Sequence, residues 1–121
     1  MRLLGGTLER GDAVSVGSPT GRFFTVVDLQ EGWYEVENRH TGQWLRVEWD
    51  TELLPHLWVW REIRASGNRW REQAELLGLE PASVPHSLGL ARALEAGQAF
   101  TLRAGETRTS RILLTVGQKI T

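Results

Sequence analysis

Cysteine is absent from all 121 residues, which excludes disulfides, thiolate nucleophiles and thiolate metal ligands. An excess of either charge is absent too. Fourteen basic residues against 15 acidic ones give a net charge of −1, and the isoelectric point is near 6.3. That balance provides no electrostatic draw toward nucleic acid or an anionic membrane. No apolar run is long enough to span a bilayer. The opening stretch MRLLGGTLERGD lacks a sustained apolar segment, so no signal peptide is expected and the cytoplasm is the default location. The glycine-containing stretch GSPTGR lacks the lysine and the following helix of a phosphate loop. His40, His56 and His86 show no spacing of the HxH or HExxH kind, so neither a metal nor a cofactor is expected. Ser83, His86 and Ser87 are close in sequence, but sequence proximity does not make a catalytic triad.

What is present is an ordinary globular balance, 40% hydrophobic and 24% charged, in a length that suits one domain over residues 1–121. Tryptophan is the exception, with 6 copies against a single tyrosine. Each indole is a large apolar plate with one N–H to satisfy.

Strand signals recur along the chain. VSV at 14–16 and FFTVV at 23–27 are short and rich in β-branched or aromatic residues. WYEVENR alternates moderately from Trp33. From Gln43 the alternation is clean: Leu45, Val47 and Trp49 share one face, Trp44, Arg46 and Glu48 the other. NRHTGQ between them reads as a hairpin turn. In LPHLWVWREI, His56, Trp58, Trp60 and Glu62 share one face, while Leu57, Val59, Arg61 and Ile63 share the other. NRWREQAELLG is the best helix signal, with Asn68 to cap it and Gly78 to end it. SLGLARALEAG is a weaker one. AFTLRAGETRTSRILLTV reads as two strands around Ala104–Gly105–Glu106. Seven or eight short strands with one or two short helical turns predict an all-β chain, an antiparallel β-sandwich.

Two features bear on chemistry. The mixed aromatic and polar face of Trp58 and Trp60, shared with His56 and Glu62, is either sheet packing or a stacking platform for a sugar ring, whose C–H face suits an indole. Glu80, in LGLEPASVP, is either a surface acid at a strand end or a carboxylate held by an apolar strand and Pro81 as a general base.

LPHLWVWRE, LGLEPASVP and LGLARALEAGQAFTLRAGET, in that order, resemble the C-terminal portion of aldose 1-epimerase (galactose mutarotase-like) proteins. The family shows an aromatic strand after a proline, as Pro55–Trp60 does. An apolar strand ending in Glu-Pro follows, as in Leu79–Glu80–Pro81. Gly97, Leu102, Gly105 and Glu106 match the family pattern near its last strand. The resemblance covers roughly residues 30 to 116. It implies part of a mutarotase-like supersandwich that interconverts sugar anomers without cofactor or metal. It also implies that Glu80 is the general base. The family's acid histidine lies upstream of this glutamate, and neither His40 nor His56 matches it; the epimerase reading takes His56, or a histidine of a second subunit, as the acid. Trp58, Trp60, Arg61 and His86 are the substrate-binding candidates. The resemblance requires a strand ending at Glu80, which fits a helical turn from Arg69 to about Glu75 followed by a strand from Leu76. A half-sandwich exposes sheet edges and an apolar face, so a dimer is expected. Three readings stand: an epimerase acting on a small sugar, a non-catalytic sugar-binding module, and a structural dimer without sugar.

Overall fold

Alternation builds the central strands. In β3 (Gln43–Trp49), Val47 and Trp49 are buried; in β4 (His56–Ile63), Leu57 and Val59 are 1% and 2% exposed. Burying each such side chain stabilises the fold by roughly 1.5–3 kcal/mol. These strands belong to a computed structural model that describes residues 20–67, 69, 72–85 and 89–119. The other elements are β1 (Thr20–Val26), β2 (Gly32–Glu37), β5 (Glu75–Ala82), α1 (Gly89–Glu95) and β6 (Ile112–Gln118). They form two antiparallel three-stranded sheets, ordered β1-β4-β5 and β2-β3-β6. One core cluster draws Val26, Leu57 and Val59 from the first sheet and Tyr34, Val47 and Trp49 from the second, which makes the pair a β-sandwich. Trp49 also pins the link between the sheets: its indole N–H donates to the Leu54 carbonyl at 2.9 Å. No helix among the described residues is long and apolar enough to cross a membrane.

The β2–β3 hairpin turns where its sequence demands. The Asn38 side-chain oxygen accepts from the N–H groups of His40 and Thr41 at 3.0 and 3.2 Å, and Gly42 takes a positive φ of 73°.

Three expectations are corrected or moved. The predicted helix from Arg69 is not formed at the described positions. Arg69 and Glu72 lie in a turn, Glu72 at φ 62°, while the strand expected from Leu76 is present as β5 and starts one residue earlier, at Glu75. Asn68, its expected cap, lies outside the described residues. Pairing across the sheet overrides helix propensity here. Ile63 opposes Glu75, the Arg64 N–H donates to the Ala74 carbonyl at 2.8 Å, and Arg64 forms an ion pair with Glu75. The weaker signal gives the helix, α1, with Ala93 fully buried. The last two expected strands are one, β6. The polar segment before it finds no partner strand among the described residues, though its turn is present: the Glu106 N–H donates to the Arg103 carbonyl at 2.9 Å. The VSV signal at 14–16 lies outside the described residues.

Candidate functional site

The β4–β5 register assembles the candidate residues. Trp58 opposes Glu80, Trp60 opposes Gly78 and His56 opposes Ala82. Residues directly opposite share a face. Trp58, Trp60, His56 and Glu80 therefore stand together on the outer face of the β1-β4-β5 sheet, away from the core that Leu57 and Val59 enter. β1 adds Thr25 opposite Trp58 and Phe23 opposite Trp60. Glu80 lies on a strand, as the general-base reading requires, and it is exposed.

The platform is held from two sides. The Trp58 indole N–H donates to the Val84 carbonyl at 2.7 Å, and its ring meets Phe23 edge-on with centroids 5.9 Å apart. That satisfies the polar edge of the indole and fixes its tilt. Gly78 leaves room beside the acid. A Cβ placed there would sit 3.0 Å from Glu80 Oε1 and 3.5 Å from the Trp60 Cβ, so the carboxylate lies over the glycine and next to Trp60.

His56 sits at the rim. It lines a cavity of about 270 Å³ with Ser83, Gln98 and Phe100. Its Nδ1 is buried with no hydrogen-bond partner among the described residues. Burial pushes its pKa below the ordinary 6.5, against the opposing charge of Asp28, so the ring is neutral at pH 7. Its place diagonal to Glu80 sets a separation of roughly 7–8 Å across the strands. Glu62, at the other end of this face, serves the fold: it is buried, and its Oε1 accepts from the Ala65 N–H at 3.2 Å.

Arg61 is not brought to this site. It opposes Leu77 on the core-side face, and its Nε is buried with no hydrogen-bond partner among the described residues. The alternation that aims Trp58 and Trp60 outward aims Arg61 the other way. His86 lies outside the described residues. Phe23, Gln98 and Phe100 border the site without a sequence signal for it, and Ser83, set aside above as a triad member, borders it too. Only the β1–β4 register shows which of Phe23 and Phe24 faces Trp60. No local pattern marks the three cavity residues.

Three other tryptophans serve elsewhere. Trp49 is in the core, Trp33 carries the Arg46 guanidinium 4.1 Å above its ring, and the Trp44 indole covers Gly117. No group of three or more histidines, aspartates or glutamates among the described residues could hold a metal ion. The outer face thus sets two half-buried indoles and the exposed Phe23 beside an exposed carboxylate. Such a surface can take the C–H face of a polyhydroxylated ring while accepting a hydrogen bond from a hydroxyl.

The chain matches no protein-family profile, no curated protein and no solved structure.

Proposed function

We propose that the protein binds a small sugar on the outer face of the β1-β4-β5 sheet and interconverts its anomers as an aldose 1-epimerase does. The observation that carries this reading is the placement of Glu80 directly opposite Trp58, with Trp60 alongside and His56 diagonal to it. In the reaction, Glu80 takes the proton from the C1 hydroxyl while His56 in its protonated form gives one to the ring oxygen. The C1–O5 bond breaks and the open aldehyde forms. Rotation about C1–C2 presents the other face of the carbonyl, and ring closure returns both protons. Each such proton transfer contributes about 10²–10⁴-fold.

A second reading, a sugar-binding module without catalysis, is supported by the burial of His56. A neutral imidazole at pH 7 leaves little acid to protonate the ring oxygen.

Anomeric exchange of pure α-glucose and α-galactose, followed by NMR, tests the proposal. Acceleration lost in Glu80→Gln supports the epimerase. Sugar binding without acceleration supports the module. Neither binding nor acceleration with either sugar counts against both.

A further inference from the structure

The sandwich is closed on one side and open on the other. A five-residue link joins β1 to β2 and a six-residue link joins β3 to β4. Among the described strands, β5 and β6 are edges of their sheets. On the closed side Val26 and Tyr34 are buried. On β6, Ile112, Leu114 and Val116 oppose Trp49, Val47 and Leu45 and so continue the core-facing row. Yet they are 49%, 62% and 76% exposed, while Val47 and Trp49 are 4% and 7% exposed. A concavity of about 570 Å³ lined by Val36, Leu45 and Val116 marks the uncovered end of that row.

Edge strands are normally protected by charge, proline or a bulge. Of the four edge strands described, β2 carries Glu35 and Glu37, and β5 carries Glu75, Glu80 and Pro81. β6, ILLTVGQ, has neither charge nor proline, and its pairing with β3 runs without a bulge.

We infer that the open edge of β6 is a homodimer interface, where β6 of one copy pairs antiparallel with β6 of a second copy to join two three-stranded sheets into one. The strand is suited to itself. An antiparallel pair about a two-fold axis places core-face residues opposite core-face residues, and the contact closes after two copies. Charge selects the register. Centring on Thr115 sets Arg111 opposite Lys119 of the second copy, a like-charge pair. Centring on Leu114 sets Leu114 opposite itself, Ile112 opposite Val116 and Leu113 opposite Thr115, with Arg111 opposite Gly117 and Lys119 opposite Thr109. This register brings no like charges together. The paired strands are short, so the interface is at the small end of specific ones and the dimer is concentration-dependent. The inference does not depend on the sugar reading.

The lack of native cysteine makes the test direct. Leu114→Cys places one thiol on the two-fold axis, and the full chain should oxidise to a disulfide dimer far faster than Thr107→Cys in an exposed loop. Light scattering should show wild-type dimer at micromolar to millimolar concentration. Leu114→Lys, at an exposed position, should be monomeric there with an unchanged circular dichroism spectrum. A wild-type chain that stays monomeric to millimolar concentration would overturn the inference. So would a dimer that is indifferent to Leu114→Lys, or equal oxidation rates for the two cysteine variants.

Discussion

Glu80 stands directly across the β4–β5 ladder from Trp58, and its Oε1 lies over Gly78 beside Trp60. An exposed carboxylate there has nothing to do for the core, which Leu57 and Val59 fill from the opposite face. Its neighbours are aromatic planes, and that combination underlies the proposal of a sugar site.

Gly78→Ala separates folding from function. The added methyl would meet the far end of the Glu80 side chain, which can swing away, so stability should change by less than about 1 kcal/mol. The displaced carboxylate should weaken sugar binding or anomeric exchange. Calorimetric unfolding and the NMR exchange assay, run on the same sample, check both halves.

Trp58→Phe keeps an aromatic plane but removes the N–H that satisfies the Val84 carbonyl. A loss of about 0.5–1.5 kcal/mol is expected in urea unfolding. Trp58→Ala should remove the plane as well and abolish sugar affinity in titration calorimetry.

His56 makes stability fall in mild acid. Its folded pKa is depressed below 6.5 by burial, so the unfolded chain takes up the proton first as pH drops. Its effect is nil above about 6.5 and becomes destabilising as pH falls below that value. His56→Phe should flatten this part of the profile in urea unfolding between neutral and mildly acid pH. If His56 is the acid, the protein's acceleration over buffer should grow as pH falls toward the same depressed pKa.

Gly32→Ala tests close packing between β2 and β3. A Cβ there would lie 2.4 Å from the Trp49 carbonyl oxygen and 2.8 Å from its Nε1. Backbone cannot yield as a side chain does, so a loss of about 1–3 kcal/mol is expected in thermal or urea unfolding.

Leu57→Ala leaves a cavity where the side chain is 1% exposed. It should cost about 2–5 kcal/mol, seen as a lower urea midpoint.

Much of the local architecture was legible in the chain. Alternation from Gln43 and from His56 separated the two faces of each strand, because side chains on a strand must alternate. It did not show that Glu62 is buried or that Arg61 is turned from the site. Asn38 and Gly42 marked their turn through their own backbone chemistry. Arg69–Leu77 misled because its residues suit a helix in isolation, whereas the ladder from Ile63 to Glu75 commits part of that segment to a strand.

By itself, then, the sequence determined an all-β chain, the faces of its central strands, and the shared face of Trp58, Trp60 and His56. These follow from a two-residue period and from turn residues, which act over short distances. Only the tertiary structure decided that Glu80 meets Trp58, that Phe23 rather than Phe24 joins them, and that Ile112, Leu114 and Val116 are left uncovered. Register and coverage arise from contacts between segments far apart in the chain, and a one-residue slip would send Glu80 to the other face.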